Sequence, residues 1–159
     1  MMAATLEEKL DILPVQEAID KFETAYPRSD WNKLQIEPEG PFIKYEIVGN
    51  DGEYKNTLEI NAHTGDVLKE KQKPLKEKEK DSARRERKAL NIENLMTLTE
   101  INEIAQTHVM DAIPYQWELD RQKERTVWKI EFANKTGSEM TEFKVDAQDG
   151  TIVQTKLKN

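Results

Sequence analysis

The sequence predicts an α+β fold: two repeats of a helix packed on a small antiparallel sheet, joined by a charged helical connector. Three observations predict it. Residues 42–68, FIKYEIVGNDGEYKNTLEINAHTGDVL, lie without a gap over residues 127–153, VWKIEFANKTGSEMTEFKVDAQDGTIV. Each stretch alternates apolar and polar residues with the period of two that marks a half-buried strand. Each is preceded by an apolar stripe at helical spacing, and a one-sided sheet needs such a helix to cover it.

Identity between the copies is low, at Lys44/Lys129, Glu46/Glu131, Gly52/Gly137, Ala62/Ala147 and Gly65/Gly150. Apolar positions match better, and this ungapped alignment makes Ile47 and Phe132 equivalent core residues. The first helix carries Val15, Ala18, Ile19, Phe22, Ala25 and Tyr26 on one face, with Pro14 in its first turn and Pro27 ending it. The second carries Ile101, Ile104, Ala105, His108, Val109 and Ala112. It opens on the capping-box pair Thr97 and Glu100 and closes at Pro114. Glu17 matches Glu100 at an offset of 83 residues rather than 85, so two residues are expected to be inserted before the strands of the second copy.

The first strands hold Trp31, Leu34 and Ile36, and Tyr115, Trp117 and Leu119. The second hold Ile43, Tyr45 and Ile47, and Trp128, Ile130 and Phe132. Turns are expected at Gly49–Gly52 and Asn134–Gly137. The third strands hold Leu58 and Ile60, and Phe143 and Val145. Gly65 and Gly150 then supply the positive φ that a tight turn needs before the fourth strands open at Val67 and Ile152.

Charge divides the chain further. Residues 1–68 hold 6 basic and 14 acidic side chains, residues 69–88 hold 10 and 5, and residues 89–159 hold 8 and 12. The resulting domains are a first repeat at 1–72, a basic connector at 73–94 and a second repeat at 95–159. Good helix formers from Leu75 to Leu90 predict a solvated helix, with a disordered tether as the alternative. Only 36% of the chain is hydrophobic and 35% is charged, so the cores must be thin. A unit of about 60 residues buries only about 60% of its unfolded surface, so each copy gains by packing on the other.

No apolar run reaches the roughly 18 residues of a membrane span. The start, MMAATLEEKLDIL, has acidic residues where a signal sequence carries Lys or Arg, so no signal or anchor is expected within this chain. With no Cys, thiolate metal sites are excluded.

The pattern of a helix opening on Glu, a strand with an aromatic residue, a hairpin and a terminal turn resembles the PepSY domain. In the first copy it is carried by Glu17, Trp31, Tyr45-Glu46-Ile47, Leu58-Glu59-Ile60-Asn61-Ala62 and Thr64-Gly65-Asp66-Val67-Leu68. In the second it is carried by Glu100, Trp117, Trp128-Lys129-Ile130, Phe143-Lys144-Val145-Asp146-Ala147 and Asp149-Gly150-Thr151-Ile152-Val153. Lys21-Phe22 and Ile101 depart from it where the family prefers small residues. The resemblance implies a non-catalytic, extracytoplasmic or cell-envelope protein of bacteria, often a lipoprotein. It further implies binding to a protein partner, with peptidase inhibition or regulation as the expected form.

The residues themselves point to no enzyme. There is no HExxH zinc motif, phosphate loop or GxSxG elbow. His63, matched by Gln148, reads as an exposed turn residue, and His108, matched by Ala25, as a half-buried helix residue. Asp146 and Asp149 read as local turn bonds rather than calcium ligands, as do Asn61 and Thr64 in the matching places. Trp31, Trp117 and Trp128 read as core. The expectation is therefore no catalytic, cofactor-binding or metal residue and no cofactor. A protein partner is what the resemblance implies; nucleic acid is the least expected ligand, because both lobes are acidic and the connector lacks aromatic residues for base stacking. Peripheral contact of the connector with an anionic envelope is the subsidiary reading. The alternative function is a sensor for a small molecule or wall polymer, using a cleft between the repeats.

Overall fold

The computed structural model describes residues 3–158. Its strands are β1 (Asp30–Glu39), β2 (Phe42–Asn50), β3 (Tyr54–Asn61), β4 (Val67–Pro74), β5 (Ala112–Gln122), β6 (Arg125–Asn134), β7 (Met140–Asp146) and β8 (Ile152–Lys158). They form one eight-stranded sheet in the order β4-β3-β2-β1-β5-β6-β7-β8, and every neighbouring pair is antiparallel. Where sequence alone suggests two small sheets, β1 pairs β5 through Leu34 with Leu119, Gln35 with Glu118 and Ile36 with Trp117. This junction removes two exposed sheet edges and merges two thin cores into one buried cluster.

Four helices accompany the sheet: α1 (Leu6–Leu10), α2 (Val15–Ala25), α3 (Ser82–Lys88) and α4 (Leu98–Gln106). Ala18, Ile19 and Phe22 of α2, and Leu98, Ile101 and Ala105 of α4, join the sheet's apolar face in the core. The Thr97–Glu100 capping box forms as expected, with both bonds at 3.1 Å. The second helix, however, stops at Gln106 rather than at Pro114. His108 and Val109 lie beyond it, Asp111 turns the chain at φ +55°, and Pro114 stands in β5. Proline is tolerated there because Pro114 sits at a bulge and β1 pairs β5 only three residues further on.

The strand registers correct the alignment of the copies. Ile47 pairs with both Leu34 and Leu58, and Ile130 pairs with both Trp117 and Phe143. Ile47 is therefore equivalent to Ile130, not to Phe132. The offset of 83 residues holds from the helices through β2 and β6. The two extra residues lie in the β6–β7 turn, Asn134–Glu139, against Asp51–Tyr54 in the first copy. An alternating strand keeps its inward and outward faces under a two-residue slip, so the ungapped alignment matches the pattern without matching the residues.

Gly49, expected in a turn, lies within β2. A Cβ there would stand 2.0 Å from the Asp30 carbonyl oxygen, 2.3 Å from Ser29 Oγ and 3.0 Å from the Phe22 ring, so the close approach of the Ser29–Asp30 segment admits only Gly. The turns at Gly65 and Gly150 take φ +82° and +79°, as expected.

The segment after β4 differs from the expected continuous helix. A single 3₁₀ turn, Glu77–Lys80, precedes the short α3, and Leu75 and Leu90 are buried at its two ends. The backbone N–H of Leu75 donates to Glu53 O (2.9 Å), that of Leu90 to Trp31 O (2.8 Å) and that of Asn91 to Thr126 Oγ1 (2.8 Å). The segment thus runs along the sheet end where β4 finishes, β1 begins and β5 turns into β6. β4 itself continues to Pro74, past the boundary drawn at residue 72.

Candidate functional site

The two faces of the sheet differ in chemistry. The helix-covered face holds Trp31, Trp117 and Trp128, all buried in the core as expected. The Trp117 indole N–H donates to Asn102 Oδ1 at 3.0 Å. The open face is a lattice of ion pairs. Lys44 meets Glu59 (2.9 Å), Glu39 (3.4 Å) and Glu37 (3.5 Å), Lys33 meets Glu46 (2.6 Å), and Lys158 meets Glu142 (2.8 Å) and Glu131 (3.0 Å). The Glu59 and Glu142 hydrogen bonds push the ammonium pKa of Lys44 and Lys158 up. Burial and then the Glu131 hydrogen bond push Tyr115 up to about 12. Burial raises Glu118, ahead of the opposing pull of Lys129. The ion pairs of this face are internal to it, and Lys44 and Glu142 are buried within them.

The residues singled out in sequence fall into structural roles. His63 is half-buried, not an exposed turn residue. Its Nδ1–H donates to Asp11 O (2.7 Å) and its Nε2 accepts from the Ile43 N–H (3.0 Å). Gln148, its counterpart, donates to Asn91 O and Glu93 O. Both side chains tie the segment preceding a helix to the sheet, a job invisible without the path of that segment. His108 is exposed rather than half-buried and caps the last turn beside Ile104 O and Thr107 Oγ1, both at 3.1 Å. Asp146 Oδ1 accepts from Gln148 N and Asp149 N, and Asn61 Oδ1 accepts from His63 N and Thr64 N. No group of three or more His, Asp or Glu suited to a metal occurs among the described residues.

Of the surface hollows, three bear on function. A cleft of about 900 Å³ spans both copies and α3, between Asn32, Glu86, Arg87 and the β5–β6 turn at Asp120–Glu124. A second hollow of about 300 Å³ lies on the opposite side of α3. A third, of about 340 Å³, runs between α2 and the edge strand β4, lined by Lys21, Ala25, Leu58, Val67 and Glu70. Every residue of β4 is exposed. At the matching positions of the second copy three side chains are bulkier, His108 for Ala25, Phe143 for Leu58 and Ile152 for Val67, and two charged ones become uncharged, Ile104 for Lys21 and Thr155 for Glu70. There Ile104 and Ile152 pack on the core and the His108 ring stands 6.2 Å from that of Phe143. The groove beside β4 therefore has no like-shaped partner beside β8, a contrast readable in sequence only after the helix offset is set at 83.

The family model described as "Peptidase propeptide and YPEB domain", PepSY, matches residues 12–71 and 95–155, and the chain belongs to this family with two tandem copies. Among solved structures, the crystal structure of a "putative lipoprotein" from Clostridium difficile 630 is similar. It has a TM-score of 0.86 and 26% identity, over 98% of this chain and 100% of that one. No curated protein matches the chain. Among the described residues no helix is long and apolar enough to cross a membrane.

Proposed function

We propose that the chain is a non-catalytic tandem PepSY module of the bacterial cell envelope that binds a protein by adding an extended segment to β4. In this reading each copy is a helix on four strands, fused edge to edge, and the residues 73–94 brace the junction rather than space two free domains. The observation that carries it is the open groove between α2 and β4, beside a strand whose outer backbone groups have no partner strand. Val67 and Leu68 are about half exposed there, at 50% and 47%.

The charge of β4 selects the occupant. Lys69, Lys71 and Lys73 alternate onto its open face, while Val67, Glu70 and Gln72 face the helix side. Lysines on an edge repel a second copy of the same edge. They attract a strand whose outward residues are acidic and whose inward residues are apolar. Family membership and the similarity to a lipoprotein support the extracytoplasmic setting, and peptidase regulation is one form such binding takes.

The test is fluorescence anisotropy with synthetic peptides alternating Val and Glu or Val and Lys. The acidic peptide is expected to bind and the basic one not. Lys21→Ile with Ala25→His, which copies the filled groove of the second repeat, should weaken binding at least tenfold while leaving the melting temperature near wild type. Equal binding of both peptides, or binding indifferent to the filled groove, refutes the proposal.

The sensor reading rests on the 900 Å³ cleft between the copies. Its Arg87, Lys88, Arg121 and Lys123 are nearly balanced by Glu86, Asp120 and Glu124. The Arg121 guanidinium is spent on Ala89 O and Lys123 O. That cleft offers little selectivity for either charge.

A further inference from the structure

The chain carries a net charge of −7, yet one cavity in it is ringed by cations. This is the 300 Å³ hollow between α3 and the open face of β1–β3. Lys33, Lys55, Arg84, Arg85 and Lys88 line it, with Glu79 the one acid. Two of the cations are already neutralised, Arg85 by Asp30 at 2.7 Å and Lys33 by Glu46 at 2.6 Å. Glu79 accepts from the Lys76 N–H at 3.0 Å, and the nearby charges of Arg84 and Lys55 help to hold its carboxyl below the ordinary range, so this one acid offsets part of the positive charge. Lys55, Arg84 and Lys88 make no ion pair among the described residues.

Three like charges converge here because packing places them, not because they attract. Leu75 is buried and shares the cavity wall with Val48, which fixes the connector over this corner of the sheet. α3 then presents Arg84 and Lys88, four residues apart, on one face toward Lys55 of β3. Asn50 spends its Oδ1 on the Gly52 N–H (2.6 Å), so its amide donors remain for a ligand.

We propose that this cavity binds the phosphate group of a small molecule. A guanidinium fork and two ammonium groups suit a dianion with three acceptor oxygens better than they suit a single carboxylate. The size sits at the small end of ligand pockets, which run from about 300 to 1,000 Å³. No aromatic ring lines it, so a nucleobase would find nothing to stack on. The ligand class is a sugar or glycerol phosphate, or phosphate itself. The cavity stands apart from the α2–β4 groove, so this inference holds or falls independently of peptide binding.

Calorimetric titration of the whole chain tests it, with inorganic phosphate, with glycerol 3-phosphate, and with vesicles of phosphatidylglycerol against phosphatidylcholine. One or both small phosphates should bind saturably and more weakly as salt rises. Arg84→Gln and Lys55→Gln should each weaken binding about tenfold, or ~1.4 kcal/mol. Arg87→Gln, on the other side of α3, should bind as wild type. Thermal melts check that the variants fold, and Lys88→Gln replaces any that does not. Absence of saturable binding by both small phosphates overturns the proposal. So does an equal loss in Arg87→Gln, which marks diffuse surface charge, and so does binding confined to phosphatidylglycerol vesicles, which marks a membrane surface.

Discussion

The two copies fill the same hole from opposite sides. In the first, α2 contributes Phe22 and the facing strand contributes Gly49; the Phe22 ring lies 4.7 Å from Trp31. In the second, the equivalent helix position is Ala105 and the equivalent strand position is Phe132, whose ring meets Phe143 edge-on at 5.7 Å. A second exchange lies beside it. Ile19 and Leu34 of the first copy become Asn102 and Trp117, joined by a hydrogen bond. Duplicated cores thus keep volume and satisfied polar groups across a helix–strand contact, while neither partner keeps its identity.

The largest effects test this exchange. Phe22→Ala and Phe132→Ala should each cost about 3–5 kcal/mol, since both rings are fully buried. The rescues should be unequal. Ala105→Phe should recover a substantial part of the loss in a Phe132→Gly background, because the removed ring leaves its space open to the helix. Gly49→Phe should recover nothing for Phe22→Ala, because its Cβ would meet the Asp30 carbonyl at 2.0 Å. Thermal melts of the two double variants decide it; equal rescue, or none in the second copy, breaks the equivalence.

A middle-sized effect belongs to the polar exchange. Asn102→Ala strips the buried Trp117 indole N–H of its acceptor and should cost about 1–3 kcal/mol. Restoring the first copy's pair, Asn102→Ile with Trp117→Leu, should cost less than the sum of the two single changes. Additive losses in denaturant melts would show that the two residues do not act as a pair.

Much of this was readable in the sequence, and the reasons for the misses are physical. The α+β class, the eight strands, the Thr97–Glu100 cap and the positive-φ turns at Gly65 and Gly150 follow from local rules. The equivalence of Ile47 with Ile130 does not, because period-two patterns are blind to a two-residue slip. Gly49 read as a turn glycine because its real cause, the close approach of the Asp30 carbonyl and Ser29 Oγ, lies on a segment distant in sequence. The helix α1 escaped the reading because it is only five residues long; its Thr5–Glu8 capping box and the core contacts of Leu6 and Leu10 appear only in the structure. The fusion through β1 and β5, the tethering by His63, and the cation-lined cavity all depend on contacts distant in sequence, which no local pattern reports.

The smallest effect contrasts the middle of the open face with its flanks. At the junction, burial raises the Glu118 carboxyl, with Lys129 at 3.6 Å opposing it only in part. On the flanks, Glu46 and Glu131 are also pushed up by burial, but Lys33 and Lys158 outweigh it and hold both below the ordinary 4.5. The signs therefore oppose. A depressed carboxylate contributes stability above its unfolded pKa that is lost as pH falls through its folded one. A raised carboxylate favours the folded state at low pH, and that contribution is lost as pH rises through its folded value. At neutral pH, Glu46→Gln should lower the unfolding free energy and Glu118→Gln should raise it slightly, each by less than about 1 kcal/mol because these sites keep some exposure to water. As pH falls through the folded pKa of each carboxylate and the charges are lost, the two variants should converge on wild type. Variants that keep their separation at low pH would show that packing, and not charge, distinguishes the junction from the flanks.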